Sequence, residues 1–323
     1  MNIWNFILNH LSESRRVILL IVIENIGSSP GRRGFKMAVA DNKEIFGSIG
    51  GGIMEFEMVE YAKSLFSTDF FKPFIKRQVH NTESEKDQSG MICSGEQSIL
   101  FYPFEPDKAN INLISELLKC IKENCKSTLS ILPQGMKFGA TQKLEQHLDS
   151  KIKNKNDWEY HEKISFINEL YIIGSGHVGL ALSRTMVQLG FYVTAFDNRY
   201  SLNTMEQNTF AHKKQVVDYT EIEKYIPEGQ NVYVIIMTNK HVSDKDVLCK
   251  LIRNDCKYIG LMGSKKKVQK LFSDLRTLGY DDSELEKVHS PIGLDIKSET
   301  PEEIAVSIAA EIIMVKNKKV LRG

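Results

Sequence analysis

The residues with the clearest chemical potential form one glycine-rich segment near the middle of the chain: Gly174, Ser175, Gly176, His177, Val178 and Gly179. The segment follows an apolar run at residues 170–173 and opens a helical pattern, which is the context of the dinucleotide-binding G-x-G-x-x-G motif. Gly174 permits a tight turn, Gly176 lets backbone amides approach a pyrophosphate, and Gly179 lets helix and strand pack closely. Because a helix N-terminus adds partial positive charge, the segment predicts a site for a phosphate-bearing nucleotide.

An acidic residue completes this pattern. Asp197 ends the next predicted strand, about 20 residues after the glycines, where a carboxylate accepts hydrogen bonds from ribose hydroxyls. A carboxylate there favours a free 2′-hydroxyl over a 2′-phosphate. Arg199 is either a phosphate contact or the partner of a carboxylate. His177 is either a donor or acid beside the ligand, or a solvent-facing residue at the helix start.

A second glycine-rich segment lies in the N-terminal half, directly before another helical pattern. Three consecutive glycines allow backbone amides to point at one anion. The glycines are Gly50, Gly51 and Gly52. Hydroxyl and cationic side chains nearby add possible donors: Ser28, Ser29, Arg32 and Arg33. The alternative is a flexible exit from a hairpin.

Two other segments also have chemical potential. Cys93 stands near the turn residue Gly95, where a thiolate can act as a nucleophile or soft-metal ligand, or the cysteine can be structural. Further on, a predicted strand ends and a helix begins at Gly263, Ser264 and Lys265. In a parallel sheet this is the carboxyl edge, where ligands bind, although the lysines can equally face solvent.

The surrounding elements predict an α/β protein: a C-terminal Rossmann-type doubly wound parallel sheet, preceded by a smaller α+β N-terminal domain. We place the first domain at residues 1–160 and the second at 168–323. Residues 143–163 are polar and lack an apolar period, so we expect the end of the first domain and a linker there. The last helix should begin with Thr300 as N-cap, Pro301 at the first position and Glu303 as the capping-box partner.

Composition excludes several classes of function. The net charge of the 323-residue chain is +1, so no general attraction to nucleic acid or membrane is expected. The five cysteines form no C-x-x-C pair, which argues for reduced cytosolic thiols rather than a disulfide framework or structural zinc. The longest apolar run, residues 17–23, is far shorter than the roughly 20 residues that a bilayer needs, and we expect a cytoplasmic protein.

The chain resembles the xanthine dehydrogenase accessory proteins, the XdhC/CoxI-type family. The resemblance rests on six motifs in order, at residues 27–37, 47–55, 172–182, 258–267, 291–296 and 300–312. It implies a maturation factor that binds and protects molybdenum cofactor and helps deliver its sulfurated form to xanthine dehydrogenase or a related molybdenum hydroxylase. The family commonly has C-G-G where this chain has Cys93-Ser94-Gly95, which leaves a role for Cys93 open.

We therefore expect an accessory protein without turnover of its own. A pyrophosphate-binding motif suits a dinucleotide, so the ligand is molybdopterin or, in preference, its cytosine dinucleotide. The N-terminal domain would hold the pterin and metal end and the Rossmann domain the nucleotide end. Partners would be a molybdenum hydroxylase, a cysteine desulfurase and a second copy of the chain, because soluble oligomers are most often two-fold dimers.

Two alternatives predict different functions. An NAD-dependent oxidoreductase also fits the glycine motif and Asp197, but no acid/base constellation for hydride transfer is evident in the sequence. A nucleotide-sensing regulator would bind the ligand without delivering a cofactor.

Overall fold

A computed structural model of the chain describes residues 2–27, 29–68, 71–80, 95–125, 127–139, 144, 147–164 and 166–318. The chain divides into two compact units, Met1–Ser165 and Phe166–Gly323. Antiparallel sheets with helices build the first unit, and a parallel sheet with helices builds the second. The predicted fold class is confirmed.

The N-terminal unit has its described helices at α1 (Ile3–Ser12), α2 (Gly52–Leu65) and α3 (Lys108–Glu123). Its described strands are β1 (Val17–Gly27), β2 (Lys36–Ala40), β3 (Ile45–Gly47), β4 (Phe74–His80), β5 (Gly95–Phe104), β6 (Ser127–Leu132), β7 (Gly135–Gly139), β8 (Leu148–Asn154) and β9 (Asp157–Ile164). They form two antiparallel sheets, in the orders β3-β2-β1-β5-β4 and β7-β6-β9-β8.

Residues Val17–Ile23 of β1 are buried on both faces of the sheet, which explains their unbroken apolar sequence. The odd-numbered residues from Val17 to Ile23 pack in a core with α1 and α3. The even-numbered residues from Ile18 to Val22 pack in a second core with α2. Because successive side chains of a strand point to opposite faces, a strand between two cores needs apolar residues throughout.

Two expectations for this unit were wrong. Residues 148–163 are not a linker, because β8 and β9 form a hairpin that buries Trp158 and Tyr160 between charged neighbours. Cys120 and Cys125 form a disulfide at the end of α3, with Cα atoms 5.0 Å apart, rather than two free thiols.

The C-terminal unit alternates strands and helices. Its strands are β10 (Asn168–Ile173), β11 (Phe191–Asp197), β12 (Lys213–Val216), β13 (Gly229–Ile236), β14 (Cys256–Leu261) and β15 (Val288–His289). Its described helices are α4 (His177–Gln188), α5 (Asn203–Gln207), α6 (His241–Leu251), α7 (Lys265–Thr277), α8 (Asp282–Leu285) and α9 (Pro301–Asn317), with a 3-10 helix at Tyr219–Tyr225.

The strands run parallel in the order β12-β11-β10-β13-β14-β15, so the chain changes direction across the sheet between β10 and β13. Helices α4 and α9 pack on one face of the sheet. Helices α6 and α7 pack on the other face. Ligands of such doubly wound sheets bind at the carboxyl edge, at the point where the strand order reverses. The predicted start of α9, with Thr300, Pro301 and Glu303, is confirmed.

Candidate functional site

The three glycines of the loop after β10 have three different structural roles. Gly174 has a φ of 114°, and a Cβ atom there would collide with the carbonyl oxygen of Met237 at the end of β13. A Cβ atom on Gly179 would lie 2.5 Å from the carbonyl oxygen of Gly174, so this glycine lets the helix approach the loop. A Cβ atom on Gly176 would meet nothing within 4 Å, which leaves open space at the start of α4.

Helix α4 begins without a side-chain cap. Gly176 is its N-cap residue and offers no side chain to accept from the first-turn N–H groups, whereas Ser264 and Thr300 cap α7 and α9. Uncapped N–H groups and the helix dipole together favour an anion at this end. His177 is exposed at the first helical position, and Val178 packs against the core with its side chain.

Ser175 fixes the shape of the loop through hydrogen bonds of its side chain and backbone. Its side chain is buried, and its hydroxyl donates to the carbonyl oxygen of Phe196 at 3.1 Å. Its carbonyl oxygen accepts from the hydroxyl of Thr204, 2.5 Å away. The hydroxyl of Ser175 is therefore turned towards β11, and a contact between Ser175 and the cofactor stays a prediction. Thr204 was not predicted, since nothing local in its sequence distinguishes it.

Asp197 and Arg199 form one unit at the end of β11. Oδ1 of Asp197 accepts from the backbone N–H and Nε of Arg199, at 3.0 and 2.8 Å. Oδ2 accepts from Nη2 of Arg199 at 2.9 Å and from the backbone N–H of Ser175 at 2.8 Å. A carboxylate offers about four acceptor positions, and all of them are filled here. The structure thus differs from the expected free ribose acceptor, and of the two roles considered for Arg199 it shows the carboxylate partner.

The electrostatics of this pair favour the charged forms. Burial works to raise the pKa of Asp197, but the hydrogen bonds from Arg199 and the Ser175 amide outweigh it and hold the pKa below its usual value. The hydrogen bond with Asp197 raises the pKa of Arg199. The end of β11 therefore presents a neutral ion pair next to the glycine loop.

A buried carboxylate stands on the other side of the point where the strand order reverses. Oδ1 of Asp244, in the first turn of α6, accepts from the backbone N–H and the hydroxyl of Thr238, at 2.9 and 2.7 Å. Burial raises the pKa of Asp244 despite these bonds. Nε2 of His241 is buried without a hydrogen-bond partner in the described part of the chain. Asp244 was not predicted from sequence, although an acidic residue just after β13 is the available signal.

Gly263, Ser264 and Lys265 lie two strands away from the glycine loop, at the same carboxyl edge, as predicted. Ser264 is the N-cap of α7 and accepts from the backbone N–H of Lys267. Lys265 is exposed. In the loop after β15, the hydrogen bond from Lys297 lowers the pKa of Asp295, and the charge of Lys265 adds a smaller effect in the same direction. The part of Gly263, Ser264 and Lys265 in ligand binding stays a prediction.

The structure brings the two glycine-rich loops of the N-terminal unit together. A Cβ atom on Gly31 would collide with the carbonyl oxygen of Ile49, and one on Gly50 would lie 2.5 Å from the backbone nitrogen of Gly31. The hydroxyl of Ser29 donates to the carbonyl oxygen of Gly31 at 3.0 Å. Gly52 is the first residue of α2. Ser28 and Cys93 lie outside the described residues, and their roles stay predictions.

An internal carboxylate fills the amide cluster at the start of α2. Oε2 of Glu55 accepts from the backbone N–H groups of Ile49 and Gly51, both at 2.9 Å, and from the hydroxyl of Ser48 at 2.6 Å. The amide of Gly50 donates to the hydroxyl oxygen of Ser48. The amides of Ile49 and Gly51 thus already have an anion in Glu55, and the binding of a ligand by Gly50, Gly51 and Gly52 stays a prediction. The signal for Glu55 was its position in the first turn after the glycines.

Two classes of feature are missing from the residues that the structure describes. They contain no group of three or more His, Cys, Asp or Glu side chains arranged to hold a metal ion. No helix within these ranges is both long and apolar enough to cross a membrane.

Parallel strand order, the three glycine contacts and the uncapped α4 define the C-terminal unit as a Rossmann domain. Comparison with known families agrees: residues 170–312 match the XdhC Rossmann domain and residues 10–70 match the XdhC and CoxI family. Together the two ranges take in more than half of the chain, and the chain belongs to the XdhC and CoxI family.

Relatives in two bacteria share part of the chain. The uncharacterized protein YqeB of Escherichia coli K12 is 36% identical over 152 residues, which are 46% of this chain and 27% of YqeB. A probable xanthine dehydrogenase component of Bacillus subtilis 168 is 28% identical over 152 residues, which are 46% of this chain and 43% of that protein. The match thus spans less than half the length of each relative.

A solved structure shares the whole fold. The crystal structure of a xanthine dehydrogenase from Bacillus halodurans superposes with a TM-score of 0.70 and covers 100% of this chain and 98% of its own. The two sequences are 23% identical, so the likeness concerns the fold.

Proposed function

We propose that the protein is an accessory factor of xanthine dehydrogenase or a related molybdenum hydroxylase, which binds molybdenum cofactor and helps to deliver it. One observation carries the proposal: the N-terminus of α4 is uncapped and opens at Gly176, in a chain of the XdhC and CoxI family. The partner enzyme, and a cysteine desulfurase that supplies sulfur, follow from the family resemblance.

The described residues fit the phosphate end of such a ligand. The first-turn amides of α4 supply donors and partial positive charge, and Gly176 leaves room for the backbone to approach a pyrophosphate. Ser175, held by Asp197 and Thr204, keeps the loop rigid, so little ordering is needed when the ligand binds. A pyrophosphate can accept more hydrogen bonds from these amides than a single phosphate can. This favours the cytosine dinucleotide over molybdopterin itself.

When bound, the cofactor would carry the molybdenum and its sulfur ligand, and the protein would hold and shield it. The chain's own contribution is binding and orientation.

Mass spectrometry of small molecules that co-purify under anaerobic conditions tests the proposal. We expect a molybdopterin dinucleotide, together with molybdenum, in protein expressed in a host that makes the cofactor. Recovery of a nicotinamide nucleotide instead would contradict the proposal.

The NAD-dependent oxidoreductase remains the alternative, because the glycine loop fits NAD equally well. The engaged carboxylate of Asp197 argues against it, since no acceptor is left for the ribose hydroxyls. Turnover of NAD with a panel of alcohols and hydroxy acids separates the two functions. A nucleotide-sensing regulator would bind the nucleotide but leave activation of the hydroxylase unchanged.

A further inference from the structure

Helix α9 exposes apolar side chains on the side away from its core. Ala305, Ile308 and Ile312 are buried in the core that α9 shares with α4. On the outer side, Val306 is 54% exposed and Met314 is 56% exposed.

Between Val306 and Met314 along the helix lie Ala310 and Ile313, both half-buried. Single exposed apolar residues are normal on a surface, but these four form one stripe at helical spacing. We call Val306, Ala310, Ile313 and Met314 the α9 stripe. The 3–4 spacing of Val306, Ala310 and Ile313 is that of a seam between two helices at a shallow crossing angle.

The surroundings of the α9 stripe are symmetrical about Ala310. Val306 and Met314 lie one helical turn before and after it. Glu302 and Lys318 lie two turns before and after it, and both are exposed. Neither forms an ion pair with any residue in the described ranges. On this side the helix thus has an acidic start, an apolar middle and a basic end, and Ala310, the smallest residue of the α9 stripe, lies at the centre.

We propose that a second copy of this chain covers the α9 stripe, with the two α9 helices antiparallel about a two-fold axis at Ala310. In this arrangement Val306 packs against Met314 of the second copy, and Glu302 faces Lys318 of the second copy. Such an interface is self-complementary, as a two-fold dimer requires. The inference does not depend on which ligand the protein binds.

Charge selects the antiparallel arrangement over the parallel one. Parallel helices would bring Glu302 next to its own copy and Lys318 next to its own copy, and like charges across an interface are repulsive. Antiparallel helices pair opposite charges at both ends and also align the helix dipoles favourably. Ala310 at the crossing lets the two backbones approach, because its side chain is a single methyl group.

The interface is small, so we expect a dimer that dissociates on dilution. The surface area buried by a single pair of helices is smaller than that of a standard protein interface, which buries about 1,200 Å² or more. Ion pairs at the rim contribute more to specificity and association than to raw affinity.

Sedimentation velocity of the full chain, over a wide range of concentration, tests the proposal. The wild type should pass from monomer to dimer as concentration rises. Met314→Asp should weaken dimerisation by at least about tenfold, because it places a charge without a partner in the apolar seam. Val242→Asp is the control, since Val242 is 66% exposed on α6 and lies outside the α9 stripe.

A charge exchange tests the orientation. Glu302→Lys or Lys318→Glu alone should weaken the dimer several-fold, and the two together in one chain should restore it. A wild type that stays monomeric would overturn the proposal, as would a Met314→Asp variant that dimerises like the wild type. If the exchange fails to restore a dimer that each single change has weakened, the antiparallel arrangement is wrong. Circular dichroism of each variant checks that it is folded.

Discussion

The guanidinium of Arg199 donates two hydrogen bonds to the carboxylate of Asp197, with Nε 2.8 Å from Oδ1 and Nη2 2.9 Å from Oδ2. This pair occupies the place where an NAD-binding domain keeps a carboxylate for the adenosine ribose. A nucleotide whose affinity depends on that carboxylate must first displace the arginine. We therefore expect the pair to disfavour NAD, so that the proposed ligand would be recognised mainly by the glycine loop.

Arg199→Ala should raise the affinity for NAD. The substitution frees acceptor positions on Asp197, and a hydrogen bond to a charged group is worth about 1.5–3 kcal/mol, or roughly tenfold or more in affinity. Calorimetry with NAD measures the effect. Arg253→Ala is the control, because Arg253 pairs with Glu284 on an exposed surface. Weaker NAD binding by Arg199→Ala would show instead that Arg199 contacts the nucleotide.

Gly176→Val should remove nucleotide binding and keep the fold. The backbone at Gly176 has φ −70°, which any residue adopts, and a Cβ atom there meets nothing within 4 Å. The branched side chain then fills the space that the proposed function assigns to the pyrophosphate, and we expect affinity to fall by at least about tenfold. Calorimetry and thermal unfolding measure the two effects.

Gly174→Val provides the contrast. Its side chain would collide with Met237 at a positive φ, so we expect a loss of about 3 kcal/mol or more in unfolding free energy. Unchanged nucleotide affinity in folded Gly176→Val would remove this loop from the site.

Much of the fold of the C-terminal unit could be predicted, because the sequence patterns that indicate it are local. A strand, a glycine motif and a helix follow one another within residues 168–188, and each has its own pattern. The engagement of Asp197 could not be predicted, because it depends on side-chain geometry that spacing does not reveal. In the N-terminal unit, the hairpin of β8 and β9 was not predicted, because charged residues interrupt the apolar residues of these strands.

Glu55→Gln should destabilise the N-terminal unit by about 1 kcal/mol, the usual effect of a lost helix cap. Burial works to raise the pKa of Glu55, but hydrogen bonds from Ser48 and from the amides of Gly51 and Ile49 hold it below its usual value. A carboxylate with a lowered pKa stabilises the fold above its unfolded pKa of about 4.3, and this stabilisation is lost as the pH falls through the folded pKa.

The difference in unfolding free energy between wild type and Glu55→Gln should thus be full at neutral pH and shrink in acid. Denaturant titrations at several pH values measure it. Glu57→Gln is the matched control on the exposed side of α2. A difference that stays constant with pH would show that the glutamine simply packs less well.

Relative to the wild type, Asp244→Asn should stabilise the fold more at neutral pH than at low pH. Burial raises the pKa of Asp244, so folding favours its protonated form. The penalty for the charged form is absent in acid, grows as the pH rises through the unfolded pKa of about 3.9, and is complete above the folded pKa. Asparagine keeps an oxygen that can accept from Thr238 and carries no charge.

Unfolding free energies of Asp244→Asn and wild type at low and neutral pH provide the measurement. Asp246→Asn, exposed on the same helix, is the control and should show no such trend. Destabilisation by Asp244→Asn that increases towards neutral pH would mean that the carboxylate charge is needed, for example by His241.

The most direct test of cofactor binding is an anaerobic titration of the wild-type protein with molybdenum cofactor released from a molybdenum hydroxylase. Gel filtration then separates bound from free cofactor, and elemental analysis gives the molybdenum that co-elutes with the chain. We predict a close to equimolar amount on the wild type and almost none on folded Gly176→Val. Cofactor that elutes entirely free of the wild-type protein, under conditions in which NAD binds tightly, would contradict the account.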